Sequence, residues 1–386
     1  MAVANNDFEA AFQEYLASTE WASYEDPFDT AEYIPEMLLE LHGGVEAERE
    51  EEILGELFSR IYYQERLTTA IQVTIRPLLL LCILDKIQSK DLVLELLLDI
   101  EQRYLYLKGV IGVMPAKYAY LGEVYDSEQE AATSIEIGEK PYYELIQQQR
   151  DLLVVLFSNQ SPLIRNLAIK AYGLSALTAN REAPALDTHL LLQQVSNDTT
   201  AGNTLVALGM VARLSGQPLL IPAALPAGRQ YQQHIAVAEG LAGTASPETI
   251  ALLKQIEADP ADYNLLPWYR GDLQLLALAG LANSIKNDPS ITGYLFEVIR
   301  QLKKQPVSIP PTELKTYEVA AEFLASAYFS SLVPAAHKRG NEELTPEQLA
   351  VVKKLSGELK IITNIQVVAG LPESIKAVNS FAGLAQ

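Results

Sequence analysis

The chain has 386 residues, with 29 Lys or Arg against 49 Asp or Glu, a formal charge of −20 at neutral pH. Such a field repels phosphate backbones and anionic lipid surfaces, which argues against general nucleic-acid or membrane binding and favours a basic protein or peptide as partner. A hydrophobic content of 49% is too high for a disordered chain, and a lone cysteine, Cys82, excludes a disulfide framework or a multi-cysteine zinc site.

Apolar periodicity predicts helices over 7–20, 30–42, 47–64, 67–88 and 90–108, which form an acidic N-terminal part, 1–108. Residues 1–60 hold 16 Asp or Glu against Arg49 and Arg60, a balance of −14 that leaves only −6 for the other 326 residues. Glu46, Glu48, Glu50, Glu51 and Glu52 are the densest run. A helix fans sequential glutamates around its circumference, so they read either as a solvated face or as an electrostatic docking surface. The amino terminus, MAVANNDFEAAF, has neither the basic start nor the apolar stretch of a signal peptide. The longest apolar run, Pro77 to Leu84, stops at Asp85 and is far short of a membrane span, so the expected location is the cytoplasm.

Segment 109–141 breaks the helical pattern with Gly109, Gly112, Pro115, Gly122, Gly138 and Pro141. Tyrosine outnumbers phenylalanine 19 to 9, and Tyr118, Tyr120 and Tyr125 fall within this insertion. Tyrosine joins a large apolar ring to a polar tip, which suits both a repeat edge and a protein interface.

From 142 to 386 the chain reads as helix pairs: 142–180, 187–216, 229–258, 271–303, 312–332 and 345–362, with loops at 217–228 and 304–311. Ser158-Asn159 opens SNQSPLIRNLAIKAYGLSAL, and 38 residues later Ser196-Asn197 opens SNDTTAGNTLVALGMVARLSG. Pro162 fits a first helical turn, Arg165 is placed to reach back to the turn, and Leu167 points inward. Gly173, Gly209, Gly240 and Gly280 recur at spacings of 36, 31 and 40. A helical glycine costs roughly 1 kcal/mol against alanine, so its recurrence implies close approach of neighbouring helices. These features together predict an all-α, HEAT-like solenoid of stacked antiparallel helix pairs, one continuous structural unit with an irregular insertion at 109–141.

A search for chemistry returns little. His42, His189, His234 and His337 are isolated from one another and from Cys82, so neither a metal site nor a cofactor is expected. No nucleophile elbow, phosphate-binding loop or dinucleotide fingerprint occurs. Asp259, Asp262 and Asp272 around Trp268 and Arg270 read as a capped turn between helices.

Trp21-Ala22-Ser23-Tyr24, Thr30-Ala31-Glu32-Tyr33-Ile34-Pro35-Glu36-Met37-Leu38, Leu54-Gly55-Glu56-Leu57, Ile61-Tyr62-Tyr63-Gln64 and Arg76-Pro77-Leu78-Leu79 resemble a family of bacterial HEAT-repeat proteins. Members of that family are sometimes found beside polymorphic toxins and have been proposed as immunity proteins. Tyr63 stands where the family often has His, and Leu78 replaces an aromatic residue. The match at 161–168 extends the likeness to about residue 180. The resemblance implies a HEAT fold and a toxin partner, with no catalytic motif to carry over. The expected function is a non-catalytic, protein-binding solenoid that neutralises a basic toxin domain. A HEAT-like enzyme of the lyase or glycosylase type and a passive scaffold are the alternatives.

Overall fold

The computed structural model describes residues 5–63, 66–107, 144–176, 186–197, 199–222, 229–258 and 273–301, with five further positions between 346 and 354. The chain is all-α across these residues apart from one pair of two-residue strands, and it divides into two compact units. The first comprises Met1–Glu101 and Lys140–Leu190; the second comprises Gln102–Glu139 and Leu191–Gln386. The insertion, the helices expected at 312–332, most of 345–362 and the Asp259–Asp272 turn lie outside the described residues.

The first unit begins with α1 (Asn5–Ser18), α2 (Ile34–Gly43) and α3 (Ala47–Ile61). Helix α2 carries Pro35 in its first turn, where the missing N–H is not needed, and is capped by Gly44 with φ +80°. It buries Ile34, Leu38 and Leu41, one stripe at helical spacing. Helix α3 buries Glu50, Ile53, Leu54, Leu57 and Ile61 in the same way.

The helix expected to run on to residue 64 stops at Ile61. Tyr62 turns extended (φ −141°), and β1 (Tyr62–Tyr63) pairs antiparallel with β2 (Arg66–Leu67), Tyr62 opposite Leu67. Consecutive tyrosines favour an extended backbone, and Thr68 Oγ1 closes the junction by donating to Arg60 O at 2.9 Å.

Helix α4 (Ile71–Ile83) is the hub of this unit, in contact with α1, α2 and α6 (Arg150–Leu156). It is buried nearly all round, from Ile71 through Leu78, Leu79, Leu80 and Leu81 to Cys82. Each such side chain contributes about 1.5–3 kcal/mol of transfer free energy. Asp85 at φ +61° ends the helix, and α5 (Lys90–Leu107) follows. Helix α7 (Pro162–Leu174) packs on α6, where the Phe157 and Tyr172 rings meet edge-on at 5.5 Å. Pro162 occupies the first turn of α7 as expected. Arg165 Nη1 reaches back to Asn159 O (2.6 Å) and Gln160 O (3.0 Å), and Leu167 is buried.

Helix α8 (Thr188–Gln194) precedes α9 (Ala201–Ser215), α10 (Arg229–Ala242), α11 (Pro247–Ala258), α12 (Leu273–Asn283) and α13 (Ser290–Gln301). In the second unit α10 lies against both α9 and α12, and α11 packs on α10 and α12. The recurring glycines make this possible. A Cβ on Gly209 would stand 2.5 Å from Ala238 Cα, and one on Gly240 would stand 2.8 Å from Gly280 Cα. Helix backbones therefore touch at these points, and Leu253 of α11 fills the space beside Gly240 and Gly280. Asn283 Nδ2 and Asn287 Nδ2 each donate at 3.0 Å, to Leu241 O at the end of α10 and to Gly243 O just after it.

The Ser-Asn repeat has a structural meaning. Asn159 Oδ1 accepts the Ser161 N–H at 2.9 Å, and Asn197 Oδ1 accepts the Thr199 N–H at 3.1 Å. Asp288 Oδ1 makes the same bond to the Ser290 N–H. Each Asx turn redirects the chain immediately before a helix.

Candidate protein-binding surface

Four of the five glutamates singled out in α3 and its N-terminal flank face solvent: Glu46, Glu48, Glu51 and Glu52. Glu50 does not, and the expectation that it joins a solvated fan is corrected. It falls on the apolar stripe of α3 and is 1% exposed. Its Oε1 and Oε2 accept the Gln88 N–H at 2.9 and 3.0 Å, and Oε1 accepts the Ser89 N–H at 2.7 Å. Glu50 thus satisfies amides just ahead of α5, where the helix dipole also favours negative charge. Tyr118, Tyr120 and Tyr125 lie outside the described residues.

Around the exposed glutamates, the seam between α2 and α3 carries further carboxylates. Arg49 is held by Glu40 through Nε (2.8 Å) and Nη2 (3.0 Å), and by Glu52 through Nη1 (3.2 Å). The hydrogen bond from Arg49 holds the Glu40 carboxyl below the usual carboxylate range. Glu36 and Glu56 are exposed on the same helix pair.

Near the α2 N-terminus the seam acquires aromatic rings. The segment Glu25-Asp26-Pro27-Phe28-Asp29-Thr30 is closed by a β-bridge between Glu25 and Thr30. Asp26, whose side chain is fully buried, organises it: Oδ1 accepts the N–H groups of Phe28 and Asp29, both at 2.8 Å. Its Oδ2 accepts Arg60 Nη1 at 2.6 Å. Burial opposes ionisation of Asp26, but the Asp29 and Phe28 amides and the Arg60 guanidinium outweigh it and lower the Asp26 pKa. Arg60 also binds Glu56 Oε1 through Nη2 at 2.9 Å, and its Cζ lies over the Phe28 ring at 5.5 Å and the Tyr33 ring at 5.9 Å. Phe28 is 64% exposed and Tyr33 55%.

Sequence reasoning had not singled out Phe28, Tyr33 or Arg60 as site residues. The available signals were an Asp-Pro-Phe-Asp turn and the scarcity of cations, Arg60 being one of two in the first sixty residues.

Among the described residues no three His, Cys, Asp or Glu side chains converge as a metal site. Burial pushes the Cys82 thiol up to about 12. His42 stacks on Phe12 at 4.9 Å, with Nε2 2.6 Å from Glu9 Oε1; His234 packs against Gly202; His189 is exposed; and His337 lies outside the described residues. A cleft of about 430 Å³ opens at the C-terminal ends of α9, α10 and α12, near Gly216, Gly243 and Asn283. Arg213 is the charged residue in its described lining, and no acid–base pair faces it there. Among the described residues no helix is long and apolar enough to cross a membrane.

The chain matches no protein-family model and no curated protein sequence.

Proposed function

We propose that this is a non-catalytic, cytoplasmic protein-binding solenoid of the HEAT kind, whose acidic N-terminal face captures a basic protein. A toxin domain encoded beside it is the partner that the family resemblance implies. The observation that carries the reading is the exposed carboxylate surface of α2 and α3, in a segment with a balance of −14 and both of its arginines already engaged. A surface of one sign raises the encounter rate with an oppositely charged protein. The row of α9, α10 and α12, brought together at glycines, supports a repeat architecture in which one helix from each of three successive pairs stacks on the next.

Surface plasmon resonance against the product of the neighbouring gene tests the reading. Replacing Glu46, Glu48, Glu51 and Glu52 together by Gln slows association, most strongly at low salt, and changes dissociation less. Screening limits exposed charges to about 10 Å at 0.1 M salt, so parent and variant converge as salt rises. An unchanged on-rate at low salt would reduce the acidic run to a solvated face.

A further inference from the structure

We infer that Phe28 and Tyr33 are the apolar anchor of the acidic surface, and that they seat in an apolar slot flanked by Lys or Arg on a basic protein partner. The inference rests on the protein-binding reading above.

Three observations carry it. Two large rings stand more than half exposed, each with its centroid within 5.9 Å of the Arg60 Cζ, where they contribute little to the core. They are also held in place. Asp26 fixes the turn that presents Phe28, the Glu25–Thr30 bridge closes it, and one guanidinium lies beneath both rings. Rings fixed before binding lose little conformational freedom on docking, as a rigid aromatic anchor requires. Finally, every charged residue from Glu25 to Glu36 is acidic. Glu25, Asp29, Glu32, Glu36 and Glu56 are exposed around the rings, and Arg60 among them is already paired with Asp26 and Glu56.

Charge complementarity selects the occupant. A second copy of this chain would bring carboxylates against carboxylates, whereas a basic protein pairs with them. Arg60 already takes a face of each ring, so an added cation gains less over the rings than at the carboxylates. The rings therefore meet apolar surface and the carboxylates meet the charges.

The test uses the full chain and two twelve-residue lysine-rich peptides, one with a central Leu-Leu pair and one with Ser-Ser in its place, read by fluorescence anisotropy. The parent binds the leucine peptide about fivefold or more tightly than the serine peptide. Replacing Phe28 and Tyr33 together by Ala abolishes that preference while leaving serine-peptide affinity unchanged. Phe28→Leu alone, which keeps apolar area at the turn, retains most of the preference. Equal affinity of the parent for the two peptides, or a preference that survives the double substitution, overturns the anchor and leaves the basic-partner reading standing. Failure of the parent to bind either peptide sinks both. A dimer in sedimentation velocity that the double substitution dissolves assigns the rings to a second copy, which also overturns the inference.

Discussion

Glu50 on α3 and Ser89 ahead of α5 are joined by a 2.7 Å hydrogen bond from the Ser89 amide to a carboxylate that is almost wholly shielded from water. One side chain thus ties two helices whose facing residues are 39 positions apart. Glu50→Ala leaves the Gln88 and Ser89 amides without this acceptor and is expected to cost about 2 kcal/mol or more. Glu48→Ala and Glu51→Ala, on the solvent side of the same helix, are expected to stay within about 0.5 kcal/mol. Urea denaturation of the three variants checks this, and equal midpoints would mean that Glu50 contributes nothing as a cap.

The glycines of the second unit give a prediction with an internal control. Gly209→Ala sets a methyl group against the α10 backbone at Ala238, and Gly240→Ala sets one against Gly280. Backbone cannot yield as a flexible side chain can, so each change should destabilise by about 1–3 kcal/mol. Gly55, within α3, has open space where its Cβ would be. Gly55→Ala should instead stabilise by about 0.5–1 kcal/mol through helix propensity. Thermal melts that ranked the three alike would contradict the close approach of α9, α10 and α12.

Asp26 supplies the pH prediction. Its folded pKa lies below the ordinary carboxylate value, so the ionised group stabilises the fold above that value. The contribution is lost as pH falls through the lowered folded pKa. Asp26→Asn is therefore less stable than the parent by a constant margin from pH 7 to about 5, and the margin shrinks below about pH 4. Urea midpoints measured across this range decide it. A margin that widened on acidification would have the wrong sign for a carboxylate held by Arg60.

Helix α7 offers a contrast between neighbours. Leu167 is 3% exposed and Leu163 is 50% exposed, four residues away. Leu167→Asp buries an unpaired charge and should cost several kcal/mol, whereas Leu163→Asp should be nearly silent. Circular dichroism melts separate them, and equal melting temperatures would show the phase of α7 to be misassigned.

Much of the helical scaffold was legible because its signals are local. The stripes Ile34–Leu38–Leu41 and Ile53–Leu54–Leu57–Ile61 follow helical spacing, and Pro162 and the recurrent Asx turns mark helix starts. The glycine recurrence also told of close packing, because glycine is costly in a helix without such a reason. Two departures from the expected pattern are local as well. Tyr62-Tyr63 carries the apolar pattern of α3 onward but prefers an extended backbone. Glu50 sits among charged neighbours in sequence yet shares the phase of Ile53, Leu54 and Leu57. The Phe28–Tyr33–Arg60 cluster was illegible for another reason. It depends on a contact between Asp26 and Arg60 across 34 residues, which no local periodicity encodes.

The burial of Cys82 has a practical consequence for every experiment on this chain. Burial pushes the thiol up to about 12, so it stays protonated at neutral pH, and the core around α4 encloses it completely. The native protein therefore lacks a readily alkylated sulfur, and a cysteine introduced at an exposed position, such as Phe28→Cys, becomes the selective point of attachment. Fluorophores and spin labels can then be placed on the acidic face without first removing a core residue.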